Sequence, residues 1–251
     1  MIYDDTSKYM KYELPNGFHF EFYKDGDIED WINIHISSRE FTSIEEGYEV
    51  FHSFFDSFIN ELDKRCVFIV ENKTSKKVGT ATVSLLKNQE YCYDAAIDWL
   101  AIKMDYQGKH LAKPLITKMI EISNNLGHKK IILHTQTTTP LAAYLYLDYG
   151  FEIFNKDDKK AWSILKTITN HSKLKKFDTL DINEIYDKRN IEIENKLEKI
   201  FGSDNFNYMV WYKNGMHNVY AYYNNNNYEY EYFEDNNDIR LKEVLNKKYN
   251  R

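Results

Sequence analysis

The chain has 251 residues, of which 43% are hydrophobic and 29% charged, a balance typical of a folded protein rather than a disordered one. Its formal net charge of −6, with no basic cluster, argues against nucleic acid as the main partner and is compatible with a small cationic substrate. Apolar runs such as residues 131–133 are too short to span a bilayer, and residues 1–5 have no signal-peptide pattern, so we expect a cytoplasmic protein without a membrane partner.

The two cysteines, Cys66 and Cys92, are too few for a disulfide framework. We expect both to be free thiols on strands, where a reduced cysteine packs like a small apolar side chain. We expect no bound metal.

Apolar periodicity predicts alternating strands and amphipathic helices over the first 169 residues. Alternating or short apolar runs predict strands, and apolar residues three and four apart predict helices. In chain order the predicted elements are strand 18–23, helix 27–37, helix 44–62, strand 66–71, strand 78–86, strand 95–102, helix 111–126, strand 130–136, helix 141–149, strand 151–154 and strand 161–166. This alternation predicts an α/β domain over residues 1–169.

The composition changes after this point, because ten of the 21 tyrosines follow residue 171. We predict a linker over residues 170–180 and a separate small α+β domain over residues 181–251. Its predicted elements are helix 182–201, which begins at an Asp181–Glu184 capping pair and ends at Gly202, then a meander of strands 206–212, 217–223 and 228–233 with a hairpin turn at 214–215, and a last helix 238–248.

The alternation of tyrosine and glutamate from Tyr228 to Tyr232 predicts a sheet with tyrosines on one face and acids on the other. Two interpretations follow from this pattern. The tyrosines form the core of the small domain, which we favour, or they form an exposed surface that binds a peptide or a carbohydrate.

The segment around residue 107 has the pattern of a phosphate-binding turn. A strand ends at Ile102, and a glycine-containing turn, Gln107-Gly108-Lys109-His110-Leu111-Ala112, leads directly into a helix. The first N–H groups of a helix have no internal partner, and the helix dipole adds positive potential there. Small residues at such a junction let a phosphate approach the main chain, so we predict a pyrophosphate cradle.

Two motifs together resemble a known family. Leu100-Ala101-Ile102 followed by Gln107 to Ala112 resembles the main motif of the GNAT N-acyltransferases, a strand end followed by Arg/Gln-x-x-Gly-x-Gly/Ala. Leu145-Tyr146-Leu147-Asp148-Tyr149-Gly150-Phe151 is similar to their second signature, Leu-Tyr-x-x-x-Gly-Phe. The resemblance covers residues 17–166. It implies a mixed central sheet flanked by helices, and transfer of an acetyl group from acetyl-CoA, as cosubstrate, to a primary amine by direct attack in a ternary complex.

The resemblance also implies roles for individual residues. Main-chain groups of the strand end would bind the pantetheine arm and polarise the thioester carbonyl. Tyr146 would lie near the thioester sulfur and protonate the departing thiolate. Thr139 stands where the family often has an asparagine that touches the pantetheine. The cofactor-binding positions so implied are Leu100, Ala101, Ile102, Gln107, Gly108, Lys109, His110, Leu111, Ala112, Lys113, Thr139 and Tyr146.

His110 departs from the family pattern, because it stands where the first glycine of the cradle is usual. Its side chain would crowd the pyrophosphate, donate to a phosphate oxygen, or face the solvent. This departure puts the affinity for the cofactor in question more than its identity.

Asp98 and His134 are the two predicted proton acceptors for the attacking amine. Period-two alternation would place Asp98 on the same strand face as Leu100 and Ile102, and burial there would raise its pKa. His134 lies on a neighbouring predicted strand, and histidine is a common general base in enzymes. Each also has a purely structural interpretation, and a water relay would require neither.

Two further functions stay open at this point. The chain could bind CoA or a partner with a non-catalytic domain of this type, or the tyrosine-rich region could act as the main binding module. The acceptor, whether a small-molecule or a peptide amine, is not determined by these motifs. A homodimer is compatible with the pattern.

Overall fold

The computed structural model describes residues 1–85, 95–137, 139–154, 159–181, 188–213, 216–224, 226–233 and 238–245. The chain divides into two compact units, Met1–Phe177 and Asp178–Arg251. In the part of the chain that is described, no helix has the length and apolar character needed to cross a membrane.

A mixed six-stranded sheet forms the centre of the first unit. Its strand order is β1-β6-β5-β4-β3-β2, and β5 and β6 are parallel while the other neighbours are antiparallel. The strands are β1 (Ile2–Tyr3), β2 (Phe18–Phe22), β3 (Cys66–Glu71), β4 (Lys76–Leu85), β5 (Ala95–Ile102) and β6 (Ile131–Leu133), and the helices are α1 (Ile28–Ser37), α2 (Ile44–Phe55), α3 (Leu62–Arg65), α4 (Ala112–Asn125), α5 (Pro140–Tyr149) and α6 (Lys159–Thr169). The predicted mixed sheet with flanking helices is confirmed.

Each face of this sheet has its own core. On what we call the α4 face, buried residues of α4 such as Leu115 and Ile120 pack against Val83 and Ile97 of the sheet. On the opposite α1–α2 face, the core is aromatic and is built around Trp31, Phe51, Phe55 and Phe68. The helix predicted over residues 44–62 is interrupted, because α2 ends at Phe55 and is followed by the 3₁₀ turn Asp56–Glu61, in which Phe58 has non-helical dihedrals.

The strands predicted at 151–154 and 161–166 are wrong. Glu152 makes only a single bridge with Ile2, and residues 161–166 lie inside α6. The reason is that β1 occupies the sheet edge beside β6, where Ile2 pairs with Ile132. The segment therefore packs as a helix, with Trp162 and Leu165 buried one turn apart.

Cys66 begins β3 and is a buried free thiol, as predicted. Burial raises the pKa of this thiol to about 11, so it stays protonated and packs as a small apolar group. Cys92 lies outside the described residues.

The second unit consists of one described helix and a four-stranded antiparallel sheet in the order β7-β8-β9-β10. Its elements are α7 (Lys188–Phe201), β7 (Asn207–Lys213), β8 (Met216–Tyr223), β9 (Asn226–Phe233) and β10 (Asp238–Leu245). The predicted helix start at 182 and the turn at 214–215 lie outside the described residues.

The predicted last helix is wrong, because residues 238–245 form β10. This strand pairs with β9 from Asp238 to Leu245, with a bulge between Leu241 and Glu243. Pairing supplies hydrogen bonds to the edge of β9 that a helix would leave unsatisfied, and it places Ile239 against the core.

The tyrosines of β9 form the core of this unit, as we favoured. Tyr230 and Tyr232 are buried against Ile193 and Leu197 of α7. Glu229 and Glu231 lie on the other face, where Lys242 contacts them at 3.1 and 3.8 Å. The Tyr–Glu alternation thus separates an apolar face from a charged one.

Candidate active site

The two parallel strands at the centre of the sheet separate part of the way along. Pairing between β5 and β6 covers Ala95–Ile97 and Ile131–Leu133 and then stops, whereas β5 continues to Ile102. From Asp98 onwards, one edge of β5 therefore has no partner in β6. The predicted strand at 130–136 is shorter than expected, and this difference opens the gap.

A β-bulge in β5 lies at the beginning of this open edge. Thr82 pairs with Asp98 and Thr80 with Ala101, so Trp99 and Leu100 together lie opposite the single residue Ala81. Trp99 has a φ of +54°, a conformation that is strained for a bulky side chain. The surrounding packing must hold the bulge in place.

The bulge changes which residues share a face, and the predicted placement of Asp98 is wrong. Leu100 and Ile102 pack on the α4 face. Asp98 lies opposite Thr82, which in turn pairs with Cys66 of the α1–α2 core, so the Asp98 side chain belongs to that opposite face. Simple alternation fails here because the bulge inserts an extra residue between Ile97 and Ala101.

The predicted cradle follows directly after β5. The 3₁₀ turn Met104–Tyr106 leads through Gly108, with φ +75°, into α4, which begins at Ala112 without a side-chain cap. Among the described residues, none accepts a hydrogen bond from the main-chain N–H groups of residues 108–113. A side chain at Gly108 would meet nothing within 4 Å. Six consecutive donors at an open helix N-terminus fit a pyrophosphate group.

His110 is exposed and has a φ of +60°. This is the left-handed region, which glycine adopts without steric cost and in which residues with a side chain are strained. The glycine of the family pattern therefore corresponds to a conformational requirement that this chain meets with a histidine.

Most side chains of residues 107–113 contact other parts of the protein, whereas the main-chain N–H groups of residues 108–113 have no acceptor among the described residues. Gln107 donates from Nε2 to the carbonyl of Ile102 at 3.1 Å, which joins the turn to the end of β5. Lys109 lies over the ring of Tyr106 at 4.2 Å, and Lys113 forms an ion pair with Asp148 of α5 at 2.6 Å. Leu111 is buried in the α4-face core. These contacts leave the amides, rather than the side chains, as the groups that face a ligand.

The three tyrosines of α5 have different environments. Tyr149 is buried and its hydroxyl donates to the carbonyl of Met10 at 2.7 Å, whereas Tyr144 is half exposed and packs on His171. Tyr146 is buried, and no described residue hydrogen-bonds its hydroxyl. Burial raises the pKa of Tyr146 well above its ordinary value, and the charges of Glu40 and Asp98 raise it further. The phenol is therefore protonated, and no described residue accepts its hydrogen bond.

Asp98 and His134 lie near each other. Burial raises the pKa of Asp98, and the Ser84 hydroxyl and the His134 imidazole partly offset this rise. His134 is exposed and follows the last residue of β6. It borders a cavity of about 180 Å³ that is also lined by Met1, Thr135, Trp162 and Leu165. Thr135 Oγ1 and Trp162 Nε1 are buried there without a hydrogen-bond partner among the described residues.

Thr139 lies at the N-terminus of α5, where its hydroxyl donates to the carbonyl of Gln136 at 3.2 Å. Its main-chain N–H donates to the same carbonyl. The hydroxyl is thus already hydrogen-bonded within its own loop. Its contact with pantetheine stays a prediction.

Sequence reasoning missed one pair at this site. His35 of α1 is fully buried, and its Nδ1 lies 3.0 Å from Oε2 of Glu40. Glu40 is one of the two carboxylates that act on Tyr146. The available signal was a histidine on the apolar side of a helix followed, five residues later, by a glutamate.

Part of the chain matches a known protein family, and several solved structures are similar to it. Residues 28–151 match the model of the acetyltransferase (GNAT) family, and no curated protein matches the chain. Similar solved structures include a GNAT-family acetyltransferase from Staphylococcus aureus Mu50, with 19% identity over 57% of this chain and 90% of that one and a TM-score of 0.43. An aminoglycoside N-acetyltransferase in complex with CoA has 12% identity over 58% of this chain and 95% of that one, with a TM-score of 0.46.

A GCN5-related N-acetyltransferase from Sphaerobacter thermophilus is also similar, with 14% identity and a TM-score of 0.41. That match covers 49% of this chain and 38% of the other, so the present chain spans less than half of that relative. Residues 28–151 of the chain, which contain the open edge of β5, the cradle and Tyr146, form a domain of the acetyltransferase (GNAT) family.

Proposed function

We propose that this chain transfers an acetyl group from acetyl-CoA to a primary amine in a ternary complex. The observation that carries the proposal is the run of unpartnered N–H groups at residues 108–113 directly after the open edge of β5. A ligand that has a pyrophosphate at one end and a thioester at the other would use both features. Acetyl-CoA supplies an activated acyl thioester when it is bound.

Main-chain groups would hold the cofactor. The amides of residues 108–113 would bind the pyrophosphate, with the positive end of the α4 dipole behind them. The unpaired edge formed by Leu100, Ala101 and Ile102 would bind the pantetheine arm and polarise the carbonyl that is attacked. The exposed His110 imidazole faces the solvent near the same turn.

Tyr146 would act as the proton donor to the thiolate. Its raised pKa keeps the phenol protonated at neutral pH, and its hydroxyl is not committed to any described residue. A buried donor of this kind stabilises developing charge more strongly than an exposed one, because the surroundings screen it less.

Asp98 and His134 would handle the proton that the amine releases. Asp98 lies on the α1–α2 face of β5, immediately before the bulge, and its raised pKa brings the carboxylate closer to the pH range in which it can accept a proton. The cavity beside His134 has room for several water molecules, at about 30 Å³ each, so a water chain is a workable route to solvent.

Calorimetric titration with acetyl-CoA tests cofactor binding, and S-acetylpantetheine, which lacks the pyrophosphate, is the matched control ligand. We expect acetyl-CoA to bind and the truncated ligand to bind far more weakly. Equal binding of the two would remove the cradle from the proposal. Absence of binding at millimolar acetyl-CoA would refute the proposal as a whole.

A panel of amines then tests transfer through the release of free CoA. It should include a polyamine, an amino sugar, a lysine-containing peptide and a peptide with a free N-terminus. CoA release with at least one amine is the expected result. Tight binding of acetyl-CoA with no release for any amine would favour the second function, a CoA-binding protein whose domain is not catalytic.

A further inference from the structure

His35 and Glu40 form a side-chain pair that links the interior of the α1–α2 face to its surface. His35 is fully buried, with ring centroids 4.3 Å from Trp31 and 5.3 Å from both Phe41 and Trp99. Its Nδ1 contacts Oε2 of Glu40 at 3.0 Å. The Glu40 side chain is 42% exposed, so the pair has one end in the core and the other within reach of solvent.

The main chain holds the same two residues together. At the end of α1, the N–H of Glu40 donates to the carbonyl of His35 at 2.9 Å, and the N–H of Arg39 donates to the carbonyl of Ile36 at 3.0 Å. This is a Schellman helix end, in which glycine is usual at the position of Arg39. Arg39 adopts a φ of +68°, which is strained for a residue with a side chain. Glu40 is thus positioned by both its main chain and its carboxylate.

Glu40 is connected to the open edge of β5 through His35, whose ring centroid lies 5.3 Å from that of Trp99 in the bulge. The charge of Glu40, like that of Asp98, acts on the buried phenol of Tyr146. His35 engages one carboxylate oxygen, and no described residue hydrogen-bonds the other, Oε1. A partly exposed carboxylate with one oxygen not engaged by a described residue is a suitable partner for a cation.

We propose that Glu40, positioned by His35, binds the ammonium group of the acceptor. This inference rests on the proposed function and adds the acceptor class, which is an alkylamine that is protonated at neutral pH rather than a weakly basic arylamine. Trp99 provides the link to the acyl site, because its indole packs on His35 while its main chain forms the bulge of β5.

Steady-state kinetics of Glu40→Gln test the role of the carboxylate, with spermidine and a lysine-containing peptide as alkylamines and aniline as the arylamine. Loss of a charge-assisted hydrogen bond should raise KM for the alkylamines by roughly tenfold to a hundredfold. KM for acetyl-CoA and the melting temperature should not change, and Glu40→Asp should recover part of the loss.

His35 acts through Glu40, so its variants need a graded comparison. His35→Gln keeps an N–H donor that can reach Glu40, whereas His35→Phe fills the aromatic core without a donor. We expect KM for the alkylamine to rise more in His35→Phe than in His35→Gln, with KM for acetyl-CoA unchanged in both. The exposed pair His52–Asp56, with an Nδ1–Oδ1 distance of 2.9 Å, is the matched control, and Asp56→Asn should leave all constants unchanged.

The outcomes separate this inference from the proposed function. If the wild-type protein acetylates no amine, both are wrong. If it acetylates alkylamines but Glu40→Gln leaves their KM unchanged, or if aniline is as good a substrate as spermidine, this inference alone is wrong. A large fall in melting temperature for His35→Phe would assign His35 to packing, and the exposed Glu40 variants would then decide the role of the carboxylate.

Discussion

Aromatic side chains fill two regions of this chain, and they differ in how their polar atoms are satisfied. In the core of the α1–α2 face, Trp31 Nε1, His35 Nε2 and Trp99 Nε1 are buried without a hydrogen-bond partner among the described residues. In the second unit, the hydroxyls of Tyr208 and Tyr232 donate to Glu194 and Glu192 of α7 at 3.3 and 3.1 Å.

Backbone strain follows the same division. Trp99 and Arg39, both at positive φ, flank the aromatic core of the first unit, whereas Asn224 is the only non-glycine residue at positive φ in the described part of the second unit. Asparagine tolerates that conformation better than tryptophan or arginine does. Unsatisfied polar groups and strain persist where the surrounding structure compensates for them, and they concentrate at sites of function. These features support placing the proposed chemistry in the first unit, whereas the tyrosines of the second unit stabilise its fold.

The largest effect that separates the two units is expected from removing a single phenol oxygen in each. Tyr146→Phe should lower kcat by about a hundredfold or more, because general acid catalysis contributes roughly 10²–10⁴-fold, with little change in affinity for acetyl-CoA. Tyr232→Phe, the matched control, should leave kcat unchanged and lower the free energy of unfolding by about 1 kcal/mol. Unchanged turnover in Tyr146→Phe would remove its role as the acid.

A cavity-creating substitution in each unit tests whether the two units act separately. Leu197→Ala in α7 should destabilise the second unit by about 2–5 kcal/mol, since Leu197 is fully buried, yet leave affinity for acetyl-CoA unchanged. Leu115→Ala in α4, an equally buried position, should reduce both stability and affinity. Calorimetric unfolding and titration measure the two quantities. Loss of acetyl-CoA binding in Leu197→Ala would contradict the separation.

Strain in the cradle is tested by His110→Gly. Relief of the left-handed conformation should stabilise the protein by about 1 kcal/mol. Affinity for acetyl-CoA should stay the same or increase, because the amides are the predicted contacts. Ser75→Gly, an exposed position with φ +55°, is the control for stability without a site. A fall in affinity in His110→Gly alone would identify the imidazole as a ligand contact.

The smallest effect concerns the charge of Asp98. The folded protein raises the pKa of this carboxyl, so it binds the proton more tightly than the unfolded chain does. Stability contributed by the protonated form is present at acidic pH and is lost as pH rises through the folded pKa. Asp98→Asn should therefore raise the melting temperature relative to wild type more at pH 7 than at pH 4. The reverse trend would contradict the assigned burial.

The local pattern was sufficient where one segment determines its own structure. The bounds of β3 and β5 agree with prediction because each is a short, mostly apolar run. The cradle could be located from Gly108 and the helix that follows it, because the unpaired N–H groups at a helix start are a local property. The spacing to Gly150-Phe151 selects Tyr146 from the three tyrosines of α5, and its role as the acid stays a prediction.

Only the tertiary structure decided the remainder. Residues 161–166 form a helix because β1 occupies the sheet edge, and residues 238–245 form a strand because β9 offers an edge to pair with. The bulge at Trp99 moves Asp98 to the opposite face from Leu100, and the helix end at Arg39 brings Glu40 to His35. In each case the outcome depends on pairing with another segment or on a strained main chain, which local periodicity does not encode.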